Sequence, residues 1–107
     1  MKTADEPAAE QKMIAIVQAV GDYYRIPLTV IQSTNRRRPV AWARHVAMFL
    51  CREFTGAGAN RIGRVFSRTH SCVQQAWKTV ADLQAIYPEL HLDVEAVRKR
   101  LSNGNVI

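Results

Sequence analysis

Cysteine is scarce: Cys51 and Cys72 are the only two in 107 residues, too few for a disulfide scaffold. Long apolar runs are missing as well. The longest, Val46 to Cys51, is far short of the ~20 residues that a membrane-spanning helix needs. Asp5, Glu6 and Glu10 interrupt any apolar start, so no secretory signal is read there and a cytoplasmic location is expected. There is no G-x-x-x-x-G-K-[ST] loop to cradle nucleotide phosphates. Nor do the residues supply a nucleophile, base and orienting acid as a set, so neither an enzyme nor a cofactor is expected. His45, Cys51, His70 and Cys72 form no paired C-x-x-C or H-x-x-x-H unit, and no metal site is expected from them.

One further scarcity is local. From Arg25 to Lys78 there are ten basic residues and a single acid, Glu53, a charge of +9, whereas the flanks hold five basic and eight acidic residues. A cationic field confined to the middle of a chain points to a polyanionic partner. The remaining composition, 48% hydrophobic and 22% charged, is that of a globular fold. At this length one domain is expected, over residues 9–102, with 1–8 as a flexible leader and 103–107 as a flexible tail.

What is present is helical periodicity. Met13, Ile16, Val17, Val20 and Tyr24 recur at helical spacing, and a short segment from Pro27 carries Leu28, Val30 and Ile31. After the loop TNRRR, the set Val40, Ala43, Ala47, Leu50, Cys51 and Phe54 predicts a helix over 39–54 with one buried stripe. TGAG breaks it. Ile62, Val65 and Phe66 predict a two-turn helix over 59–66. A polar turn leads to Val73, Ala76, Trp77, Val80, Leu83 and Ile86 on the longest stripe. A last helix follows Pro88, with Leu92, Val94, Val97 and Leu101. Pro7, Pro27, Pro39 and Pro88 all read as helix boundaries. No segment alternates with period two, so the expected fold is all-α, a compact bundle of about six helices.

A short helix, a tight turn and a longer helix make a helix-turn-helix, in which the second helix presents its first residues to base edges. The stretch SRTHSCV, residues 67–73, would be that tip. Only one capping oxygen is needed at a helix start, and here there is a surplus of polar groups. Gly63 inside the short preceding helix is costly relative to Ala, and close approach of another helix is the expected reason for it.

Together, RRRPVAWARHVAMFLCREFT and IGRVFSRTHSCVQQAWK resemble the C-terminal DNA-binding domain of the bacterial DnaA replication initiators, a helix-turn-helix of the Trp-repressor-like superfamily. The similarity covers roughly residues 12–101. It implies binding to a short double-stranded DNA box, the helix tip in the major groove and the basic loop in the minor groove. On that likeness Arg36 is the minor-groove arginine, and Arg68, Thr69, His70, Ser71 and Cys72 are the base-reading tip. Arg38, Arg44, His45, Arg52 and Gln75 fall at phosphate-contacting places. A nucleoid-associated, monomeric protein is implied, with other replication or regulatory proteins as further candidate partners; the missing phosphate loop is a departure from the whole initiator, and no ATPase activity is expected. Thr69 and Cys72 stand where the family commonly has Asp and Thr, and the turn is a residue short. Loss of an acid that accepts from cytosine N4 relaxes or retargets that position.

Several residues keep two readings. Thr69 is an N-cap, a base reader or both; Cys72 is a small hydrophobe for a thymine methyl or a thiol stabilised by the helix end. Arg44 is either a surface arginine or a phosphate contact, and Trp42, off the main stripe, is at most partly buried. At the level of the whole chain, a helical adaptor that binds an acidic protein through the same basic face is the competing function.

Overall fold

The computed structural model describes residues 2–35 and 37–105, with side chains from 8 to 103 apart from residue 36. Its elements are α1 (Lys2–Tyr24), α2 (Leu28–Ile31), α3 (Arg38–Thr55), α4 (Ala59–Phe66), α5 (His70–Ile86) and α6 (Pro88–Arg100), followed by a π-helical turn over Leu101–Asn105. Among the described residues there is no strand. The all-α, roughly six-helix expectation is met, and no helix is long and apolar enough to cross a membrane.

Local chemistry sets most boundaries. Pro39 lies in the first turn of α3, where its missing N–H is not needed. At the other end Gly56 takes the left-handed conformation, φ 70°, and its N–H returns to the Arg52 carbonyl at 2.9 Å. Pro88 opens α6 in the same way. Pro7 is different: α1 begins at Lys2, which puts this proline inside the helix and not at its boundary. It removes one backbone hydrogen bond, and the part of α1 that is buried, from Met13 to Gly21, follows it.

Helix α3 is the centre of the bundle and packs on α1, α2, α4 and α5. Four neighbours require more than one stripe. Val46 and Met48 are therefore buried beside the expected Val40, Ala43, Ala47, Leu50 and Cys51, while Phe54 is only partly covered. Met13, Ile16, Val17 and Val20 of α1, Ile31 of α2, Ile62, Phe66, Val73, Ala76 and Val80 of α4 and α5, and Leu90, Val94 and Val97 of α6 join that core. Each such Val, Leu, Ile, Phe or Met side chain contributes about 1.5–3 kcal/mol by leaving water. Cys51 lies within it, 3.8 Å from the Met13 carbonyl, and burial raises the pKa of its thiol. Ile86 and Leu92, read from periodicity as stripe residues, are instead 63% and 65% exposed. They flank the α5–α6 junction, where no further element among the described residues covers the stripe.

The last helix is tied back by polar groups. Tyr23 and Tyr24 donate to the two oxygens of Asp93 at 2.7 and 2.9 Å, and these bonds, with burial, raise both phenol pKa values, burial being the larger cause at Tyr24. Arg98 forks onto Glu53 of α3 at 2.6 and 2.9 Å and also meets Glu95.

Candidate nucleic-acid interface

The loop between α2 and α3 is shaped first by its own short side chains. Ser33 donates to the Val30 carbonyl at 2.6 Å and accepts from the Asn35 N–H at 3.2 Å, and Asn35 Oδ1 accepts from the Arg37 N–H at 2.8 Å. Such side-chain bonds offer a backbone turn an alternative to helix. Carbonyls of this loop then point inward and need donors.

Arg44 supplies them. Only 5% exposed, it donates from Nε to Ile31 O at 2.7 Å and from Nη2 to Ser33 O and Asn35 O at 2.8 and 3.0 Å. Burial first, and the charge of Arg68 second, lower its pKa. The expectation of a surface arginine is thus corrected: the side chain is drawn in because the Ile31 and Asn35 carbonyls would otherwise lack partners. Arg68, expected at the reading tip, also donates to the loop while staying half-exposed. Its Nη2 donates to the same Ser33 carbonyl at 2.7 Å and its Nη1 to Phe66 O at 3.0 Å. One carbonyl thereby joins α3, the loop and the helix-turn-helix turn. Gln32 adds a second tie, donating to Val65 O at 2.6 Å.

The turn itself is Ser67–Thr69, one residue shorter than a four-residue turn. Ser67 takes φ 56° and Arg68 N–H closes on Gly63 O at 2.8 Å. A Cβ at Gly63 would sit 2.4 Å from the Arg68 carbonyl oxygen. What approaches this glycine is therefore the backbone of the turn and not, as expected, another helix. Thr69 is the N-cap of α5, its Oγ1 accepting from the Cys72 N–H at 3.3 Å. Beyond it His70, Ser71, Cys72 and Gln75 are all exposed on the first turns of α5.

Between α3 and this tip runs a depression of about 330 Å³ lined by Arg44, His45, Met48, Arg68, Ser71, Cys72, Gln75 and Ala76. It is continued by one of about 520 Å³ lined by Thr34, Ala41, Arg44, His45, Ser67 and Arg68. Shared walls make a single groove from the loop to α5. His45 is half-buried in it; burial, then Arg44, lowers its pKa, and its Nδ1 finds no hydrogen-bond partner among the described residues. Neutral imidazole is the expected form there at pH 7. Arg38 and Arg52 are exposed and lie over aromatic rings, Arg38 over Trp42 at 4.4 Å and Arg52 over Trp77 at 4.3 Å. Trp42 is half-buried beside Tyr87. Arg36 lies outside the described residues.

Of the sequence-predicted set, then, His70, Ser71, Cys72 and Gln75 share one exposed tip, while the buried Arg44 and the half-exposed Arg68 bond to the loop and line the groove beside it. The helical phase signals Arg44, which falls in register with buried Val40 and Met48. Nothing comparable marks Gln32 or Ser33, because their roles depend on carbonyls brought from another element.

Residues 13–80 match the family model described as the bacterial dnaA protein helix-turn-helix. The chain is 37% identical over 89 residues to the chromosomal replication initiator protein DnaA of Laribacter hongkongensis, covering 82% of this chain and 18% of that one. It is 36% identical over 88 residues to the same-named protein of Flavobacterium psychrophilum, covering 81% and 18%. With that of Ruegeria pomeroyi it shares 36% identity over 97 residues, covering 88% and 21%. The chain thus spans about a fifth of the length of the curated relatives it matches.

Proposed function

The chain belongs to the bacterial DnaA helix-turn-helix family, and from that premise we propose that it is a sequence-specific reader of double-stranded DNA of the replication-initiator type. In this reading the α5 tip enters the major groove, with His70, Ser71 and Cys72 toward base edges and Gln75 near the backbone. The loop around Arg36 enters the adjacent minor groove, whose narrow stretches carry enhanced negative potential. Arg38, Arg52 and His45 meet phosphates. Arg44 and Arg68 fix the separation of loop and tip, and Thr69 is occupied as a cap. The module acts by binding alone, with no ATPase step of its own.

The observation that carries this reading is the shared Ser33 carbonyl, which accepts from Arg44 and Arg68 and so holds the arginine loop beside the helix-turn-helix turn. Two reading elements are useful only if they are spaced to fit one duplex. A selection from randomised duplexes tests it: a short enriched box is expected, with discrimination against mismatched boxes reduced about tenfold by Arg36→Ala or His70→Ala, the size of one lost base contact. Equal recovery of every sequence would sink the specific-reader claim.

A further inference from the structure

The row of α3 residues that lines the groove continues along the helix beyond it. Arg44 and Met48 are four residues apart on α3, and Arg52 is four further, so the three lie in one row along the helix. Met48 lines the groove, and its carbonyl accepts from the Trp77 Nε1–H at 3.0 Å. That bond fixes the indole at the edge of the core, half-buried, with a face turned to Arg52, whose Cζ stands 4.3 Å from the ring centroid. Neighbouring Glu53 does not compete for Arg52, since it is held by the Arg98 fork. Arg52 is exposed, and among the described residues it has no carboxylate partner.

Resting on the DNA-binding reading above, we propose that Trp77 is a positioning residue: its ring holds the Arg52 guanidinium beyond the end of the groove away from the loop, ready for a backbone phosphate. A guanidinium stacked on an aromatic face keeps its in-plane N–H donors free for a phosphate fork. An unstacked arginine on a helix surface samples many rotamers and loses that freedom on binding. The indole removes part of this loss in advance, and the attraction between cation and ring does not consume the charge. Trp77 itself touches no DNA.

The test is a double-mutant cycle read by anisotropy of a fluorescein-labelled random-sequence duplex, with circular dichroism melts as the folding control. Arg52→Ala is expected to weaken binding about fivefold and to lower the salt slope by about one phosphate contact. Trp77→Leu weakens binding about threefold in the otherwise unaltered chain and has no effect in the Arg52→Ala background. Trp77→Phe, which keeps an aromatic face, recovers most of the loss. A Trp77→Leu defect of the same size in both backgrounds overturns the proposal, as does full affinity for Trp77→Leu. If Trp77→Leu unfolds the chain, Arg52→Lys decides: charge without a planar stack gives about a twofold loss, whereas unchanged affinity overturns the proposal. Absence of duplex binding by the unaltered chain overturns the DNA-binding reading and this inference together, which separates the two failures.

Discussion

Two sides of the bundle use polar side chains to join helices, and they do so with opposite electrical consequences. On the α6 side, acids and bases or phenols are matched: Asp93 with Tyr23 and Tyr24, Arg98 with Glu53 and Glu95. On the loop side, Arg44 and Arg68 bond to neutral carbonyls of Ile31, Ser33, Asn35 and Phe66. Both devices satisfy hydrogen bonds. Only the pairing of Arg98 with Glu53 and Glu95 on the α6 side cancels charge. Holding the loop with carbonyls leaves the cationic field of the central segment intact, which an ion pair at the same place would have reduced.

The largest blow to this contrast is Arg44→Ala. Removing the donor leaves the Ile31 and Asn35 carbonyls of a buried or half-buried loop without a partner and Ser33 O with Arg68 alone, and a loss of about 3 kcal/mol of stability is expected in urea unfolding. Duplex discrimination should fall with it, because the loop and tip lose their common tie. An Arg44→Ala protein with unchanged stability would show that the carbonyls are satisfied without it. Asp93→Ala sharpens the comparison from the other side. Two phenols lose a shared acceptor, at a cost of about 1–2 kcal/mol, while duplex affinity under native conditions stays within twofold. A parallel loss of affinity would mean that the two sides are not independent.

The smallest effect is the pH response of His45. Its folded-state pKa is depressed below the ordinary 6.5, so the unfolded chain binds the proton more readily, and stability falls as pH drops from 6.5 toward the lowered value. His45→Gln should flatten that slope, by less than about 1 kcal/mol, in melts between neutral and mildly acidic pH. If a phosphate faces His45 in the complex, protonation is favoured there and duplex affinity rises over the same pH window. Affinity that falls instead would remove His45 from the contact set.

Much of the fold is legible along the chain because helix boundaries are local events. Pro39 and Pro88 open α3 and α6, Gly56 closes α3, and Thr69 caps α5 through its own neighbour Cys72. Pro7 was misread since a helix tolerates one lost bond, and the pattern of apolar residues, which starts at Met13, is silent about backbone ahead of it. The exposed tip of His70, Ser71 and Cys72 was likewise readable from its surplus polarity. The bond of Arg68 to the loop was not, because its partner Ser33 is distant in sequence.

By itself the amino-acid order determined the helices, their caps, the central cationic segment and the family likeness, all of which depend on residues within a few positions of one another. Tertiary structure alone decided which arginines face outward and which hold the loop. The physical reason is desolvation: a guanidinium is drawn inward only where folding has gathered carbonyls that would otherwise be buried without donors. Those carbonyls come from α2, the loop and the end of α4, and only the packed bundle brings them within reach of Arg44 and Arg68.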